Sequence, residues 1–359
     1  FSSLLTNTTG ASNTAVGRCT LALTTTGLAN TAMGTMGMCA NTTGACNVAI
    51  GSNSLRTNQT SHYNTAVGYN ALRLNTAASN TAVGHSSLAC NTSGADNTAV
   101  GADALKANTT GYINVAIGHD AMIANTEGQG NVAIGGLALD ANTTGGTNVA
   151  IGCDSLSTNT TCSANVAIGH CALKSSSSGT FNVAIGNHAL KTLTTTDRNV
   201  AIGASALCTT TTGTGNTAIG FESLCANTTA DNNVAVGCFG LKANTDGTGN
   251  TSVGTSALTA NTTASNNTAV GYQSLLTNTV GFNNVGFGNQ SLCLLTNGDY
   301  NTAIGQGSMA KTTEGNRNVA VGNNALICNT TGTANTAVGG TNSGTLPVMW
   351  KNTTGQCNS

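Results

Sequence analysis

Thirteen cysteines, five histidines and twelve acidic residues are the side chains of this 359-residue chain best suited to act as nucleophiles, proton carriers or metal ligands. Acid–base or metal chemistry needs such groups to converge. His62, His85, His119, His170 and His188 fall at scattered points of a repeat described below; His85, His119 and His170 occupy equivalent places, but no two of them in adjacent copies. Asp103, Asp120 and Asp154 share another place, again in different copies. No paired carboxylate, nucleophile triad or phosphate loop assembles from this spacing, so the chain reads as no enzyme, with no metal site and no cofactor. The cysteines lack the paired CxxC spacing of a zinc site, and their number suits an oxidising compartment. Cys208 and Cys225, one repeat apart in equivalent places, are candidate disulfide partners.

Glycosylation is the remaining chemistry. The turn that recurs in each repeat supplies the sequon Asn-x-Thr/Ser at Asn7, Asn41, Asn58, Asn91, Asn108, Asn142, Asn159, Asn227, Asn261, Asn329 and Asn352. In a eukaryotic secretory pathway these would carry a row of glycans. The same Asn-Thr-Thr-Gly is also good turn chemistry, and Asn75, Asn125, Asn244 and Asn278 keep the Asn without completing a sequon. The turn is therefore the expected origin of the pattern, and glycans an added consequence.

All these groups hang on one repeat. The motif Asn-(Thr/Val)-Ala-(Val/Ile)-Gly, with few exceptions, begins at Asn13, Asn47, Asn97, Asn165, Asn199, Asn267, Asn318 and thirteen further asparagines. Successive copies are 17 residues apart, except for 16 between Asn64 and Asn80. With this Asn as position 0, position 4 is always Gly, as at Gly17, Gly51, Gly101, Gly169, Gly203, Gly271 and Gly322. A Gly so regular implies a corner with positive φ, or a backbone approach too close for a Cβ.

Apolar residues recur at position 3 (Val16, Ile50, Ile168, Phe287) and position 8 (Leu55, Leu105, Met122, Leu326). A spacing of 5 then 12, in windows dominated by Gly, Asn and Thr, fits no helical stripe. The expected fold is all-β: a parallel β-solenoid, or β-roll, of about twenty 17-residue coils with two short strands per coil. Positions 3 and 8 form its expected core. Coiling stacks equal positions about 4.8 Å apart, with the position-0 asparagines as an amide ladder. The small residues at positions 2 and 7 form a face expected to pack against another chain. Position 9, which holds Cys208, Cys225, Arg56, Lys174 and Lys242, is expected to be exposed.

Residues 1–339 read as continuous solenoid, 340–347 as an insertion breaking the register, and 348–359 as a final partial coil. Phe1 in place of an initiator Met, without a signal-like segment, reads as a processed or truncated product. Charged residues are 6% with net charge −1, and the eleven Lys and Arg are dispersed, so nucleic acid is a poor partner. No apolar run approaches the ~20 residues that span a bilayer, so membrane insertion is not expected.

The pentapeptides Asn47-Val-Ala-Ile-Gly51, Asn165-Val-Ala-Ile-Gly169 and Asn199-Val-Ala-Ile-Gly203 resemble the head repeats of YadA-like trimeric autotransporter adhesins. The longer unit Asn97–Gly111 resembles repeats of bacterial, phage and large-virus fibre proteins. The resemblance implies a trimeric or laterally packed fibre outside the cell, or on a cell or virion surface. The leading expectation is a structural subunit of an extracellular filament whose partners are copies of itself, packed laterally and through open ends. A receptor-binding adhesin is the alternative. It would contact a cell-surface receptor or glycan through the insertion and through Tyr69, Phe221, Phe239 and Tyr272. An ice-binding solenoid is the third reading.

Overall fold

A computed structural model describes residues 3–340, 348–349 and 352–359. Apart from Gly340, the expected insertion lies outside the described residues. The described chain is an all-β solenoid with one three-residue strand in each of its twenty copies of the motif, at positions 1 to 3. It divides into two units, Phe1–Phe181 and Asn182–Ser359. The first carries β1 (Thr14–Val16) through β10 (Val166–Ile168), and the second β11 (Val183–Ile185) through β20 (Thr336–Val338). Within each unit consecutive strands pair in parallel and in register, as Thr14 with Thr31 and Ala15 with Ala32, or Val200 with Thr217.

The second strand expected near positions 6 to 9 is replaced by successive turns. Positions 6 and 8 take left-handed φ values, as at Asn53 (59°) and Leu55 (47°), which no β-strand accommodates. The segment still pairs along the stack: Leu55 N–H donates to Ala71 O at 3.0 Å and Thr57 N–H to Arg73 O at 3.2 Å. Holding a leucine left-handed costs about 1–2 kcal/mol, and burying its side chain contributes about 1.5–3 kcal/mol, so burial carries the conformation.

The core also differs from the expected one. Position 3 faces outward, and the alanine at position 2 is buried, as at Ala32, Ala116 and Ala201. The reason is the narrowness of the coil. At Gly286, which stands in place of that alanine, even a Cβ would lie 3.3 Å from Leu275 Cγ on the opposite wall. A valine or isoleucine pointing inward would displace the leucine. Positions 2 and 7 pack against each other across the coil interior, as shown by Ser252 Oγ donating to Ala257 O at 2.9 Å. The small-residue face expected to meet another chain is thus the inside of this one.

Much of the remaining interior is amide. Position-0 asparagines are buried and climb the stack: Asn47 N–H donates to Asn30 Oδ1 at 3.0 Å, and Asn47 Nδ2 to the same oxygen at 3.1 Å. A second buried ladder comes from the turn asparagines at position 11, where Asn108 Nδ2 reaches Asn91 Oδ1 at 2.7 Å. The two ladders meet on one carbonyl. Gly111 O accepts Asn97 Nδ2 and Asn108 Nδ2, each at 2.9 Å. The turn itself is held by the next coil: the N–H groups of Thr42, Thr43 and Gly44 all donate to Gln59 O.

The corner glycine has both properties that its regularity implied. Gly17 has φ 130°, and a Cβ there would lie 2.5 Å from Gly34 O. The 16-residue copy keeps strand register, Thr65 of β4 (Thr65–Val67) facing Thr81 of β5 (Thr81–Val83). Its missing residue comes out of the turn, where Asn75 Nδ2 caps Ala77 O at 2.6 Å and Asn80 Nδ2 bonds Asn75 Oδ1 at 3.2 Å.

Candidate functional site

Because alanine points inward, each strand presents its position-1 and position-3 side chains to solvent. In the first unit position 3 runs Val16, Met33, Ile50, Val67, Val83 and on to Ile168, a line of apolar residues one coil apart. Several are exposed, among them Val16, Met33, Ile50 and Ile117. In the second unit Ile202, Ile219, Val253, Phe287 and Ile304 continue the pattern. Position 1 adds half-buried Thr and Val. Each unit therefore carries an apolar stripe on a parallel sheet, with no charged residue at either position.

Position 9 is exposed at Arg56 as expected but half-buried in most other copies, and three of its lysines are tied to acids at position 6. Lys242 Nζ lies 2.6 Å from Glu222 Oε2, Lys174 Nζ 3.0 Å from Asp154 Oδ2, and Lys106 Nζ 3.3 Å from Asp103 Oδ2. Hydrogen bonding to these carboxylates raises the pKa of Lys174 and of Lys242. In the same column Cys208 Sγ and Cys225 Sγ stand 2.7 Å apart. The hydrogen bond from Cys225 pulls the Cys208 thiol down from 9.0 to about 7, and the same bond pushes Cys225 up. Burial raises Cys293, a position-9 cysteine with no thiol stacked on it.

The reading of reactive groups as wholly dispersed also needs correction. In the first unit Cys171, which is buried, has its Sγ 3.5 Å from His170 Nε2 and 3.9 Å from Asp154 Oδ2. Stacking brings position 6 of one coil over position 6 of the next, a juxtaposition 17 residues apart that a comparison of histidines alone does not reveal.

The sequons fare differently. Asn41, Asn58, Asn91, Asn108, Asn142, Asn159, Asn227, Asn261 and Asn329 are fully buried, each amide donating to the carbonyl three residues on. A glycosylated amide could neither enter this interior nor keep both bonds, so these nine are structural. Asn7 is exposed and Asn352 half-buried.

Aromatic residues lie outside the coil. Tyr69 stacks on His85 at 5.6 Å, and Phe221 meets Phe239 edge-on at 5.5 Å with Lys242 Nζ 4.9 Å above the Phe239 ring. Tyr272 is exposed. In the second unit Asp299, Tyr300, Asn316 and Arg317 line an open groove of about 350 Å³. This groove falls at positions 15 and 16, which were not singled out from sequence because their residue types vary from copy to copy. No helix among the described residues is long and apolar enough to cross a membrane.

No protein-family model matches this chain, and no curated protein is significantly similar to it.

Proposed function

We propose that the chain is a structural subunit of an extracellular fibre in which identical solenoids pack laterally through their outward sheet faces. The observation that carries this reading is the inverted strand, which hides alanine and displays Val, Ile and Met in a line one residue per coil. Ten such side chains in the first unit, at roughly 60 Å² each, offer about 600 Å², near the ~800 Å² per partner of a standard interface before position 1 is counted. A surface with the same spacing along its length is another copy of the same sheet. The resemblance to trimeric adhesin heads points the same way, and β-solenoids are typically structural. Sedimentation and electron microscopy of the chain and of an Ile50→Lys/Ile117→Lys variant test it. The parent chain should form oligomers or fibres at micromolar concentration, and the variant should be monomeric with an unchanged circular dichroism spectrum. A monomeric parent chain under those conditions refutes the proposal.

A second reading, adhesion to a glycan, is favoured by the groove beside Tyr300. There an aromatic ring and the polar groups of Asp299, Asn316 and Arg317 share one wall. Glycan-array binding lost in Tyr300→Ala would support it, and an array without hits would remove it.

A further inference from the structure

We infer that Cys208 and Cys225 are a reactive dithiol that closes a disulfide between adjacent coils by exchange with a small soluble disulfide such as glutathione disulfide. The two residues hold position 9 of successive coils, just beyond β12 (Val200–Ile202) and β13 (Thr217–Ile219), whose strands pair in register. Equal positions of stacked coils lie about 4.8 Å apart, inside the roughly 4.4–6.8 Å between the Cα atoms of a disulfide. The two sulfurs already touch, at 2.7 Å. Cys39 and Cys293 hold the same position with no cysteine at that place in the coils beside them, and their sulfurs meet the carbonyls of Arg56 and Ala310, at 3.7 and 3.4 Å; Cys208 Sγ likewise lies 3.6 Å from Cys225 O, and the stacked thiol is what distinguishes it.

The surroundings favour Cys208 as the attacking sulfur. Its neighbours in the column are Lys191 on one side and, beyond Cys225, Lys242, while the nearby Glu222 is engaged by Lys242. The thiol of Cys225 donates to Cys208 and stabilises its thiolate, which forms at about pH 7. In the first step the Cys208 thiolate attacks one sulfur of the disulfide R–S–S–R, forming Cys208–S–S–R and expelling R–S⁻. Cys225 then loses its proton to solvent and attacks the Cys208 sulfur, expelling the second R–S⁻. Two protein thiols are oxidised to one disulfide, and one R–S–S–R is reduced to two R–SH.

The sequence supplies a clean readout. Trypsin cleaves after Arg198 and Lys242 and at no residue between them, and the resulting fragment contains Cys208, Cys225 and Cys238 with a single glutamate, Glu222, between the first two cysteines. The full chain is treated with glutathione disulfide, then denatured, alkylated without reductant and digested. The fragment should carry one alkyl group, on Cys238, instead of three, and weigh about 2 Da less than the same singly alkylated fragment with two free thiols. Cleavage after Glu222 should leave its halves joined. In the native reduced chain at pH 7, Cys208 should alkylate at least about fivefold faster than Cys293, the gain in thiolate outweighing the lower nucleophilicity of a weaker base. In Cys208→Ser, Cys225 should stay open to alkylation. Three results each overturn the inference: both thiols alkylated after oxidation, a glutathione adduct on Cys208 that never resolves, or a bridge that uses Cys238.

Discussion

Replacing Asn108 by alanine tests whether the interior amide ladder holds the coils together. Asn108 Nδ2 donates to Asn91 Oδ1 at 2.7 Å and to Gly111 O at 2.9 Å, and its Oδ1 accepts Asn125 Nδ2 at 2.8 Å. Gly111 O would keep Asn97 Nδ2, and Asn125 Nδ2 would keep Gly128 O at 3.1 Å. Asn91 Oδ1 alone would be left buried without a donor. Counting the stranded acceptor at about 1–3 kcal/mol and the other lost bonds at a net of about 1 kcal/mol, the local cost is about 2–4 kcal/mol. A stack of repeats opens coil by coil, so the cost should appear as local loss of protection rather than a large shift in global midpoint. Hydrogen exchange of the Thr109 amide, which donates to Thr126 O at 3.0 Å, should accelerate roughly 30- to 900-fold. Asn108→Leu should cost less, since Leu193 and Leu295 occupy the same position buried elsewhere. Thr110→Ala, on the exposed side of the same turn, should change exchange little. Equal exchange in Asn108→Ala and Thr110→Ala would refute the view that the ladder is cohesive.

Three further outcomes are expected. Gly118→Ala places a Cβ 2.5 Å from Gly135 O at a φ of 137°, and should cost about 2–4 kcal/mol, read as local exchange around β7 (Val115–Ile117). Secretion from a eukaryotic cell followed by peptide mass spectrometry should find the nine buried sequon asparagines of the turns, Asn108 among them, unmodified in folded protein. The rate of Cys208 alkylation should rise through about pH 7 as its thiolate forms, and in Cys225→Ala the rise should move upward, because the stabilising donor is gone.

The coil and its register were legible because one feature, the regular Asn and Gly, encodes both the corner and the period. Burial was harder to read. Hydrophobicity places Val16 and Ile50 inside, but the wall opposite is so close that Ala32 and Ala49 must take that place, and the larger residues turn outward. Sequence pattern reports which face of a strand is uniform, and here the uniform small face is the filled one. Position 8 was read as core, and its leucines are buried, but their left-handed φ leaves no trace in residue type, since Leu is an unusual choice for it. The turn asparagines were recognised as turn formers. Their joining into a second interior ladder depends on the turn folding inward, which only the closed coil reveals. The Cys208–Cys225 and Cys171–Asp154 contacts both follow directly from the period, the second being overlooked when histidines are compared only with histidines, whereas the His170–Cys171 contact crosses positions 5 and 6.

The short copy between Asn64 and Asn80 has a meaning for heredity as well as for architecture. The copy that is one residue short absorbs the difference in its turn while Thr65 and Thr81 stay level, and Leu72 still meets the next coil at Ser87 O, 3.0 Å away. Errors that elsewhere throw every downstream residue to the wrong face are corrected here within five residues. A 17-residue repeat corresponds to 51 nucleotides, and each whole block gained or lost would add or remove one complete layer. Length is therefore a quantity such a lineage can adjust in single steps without inventing a new fold.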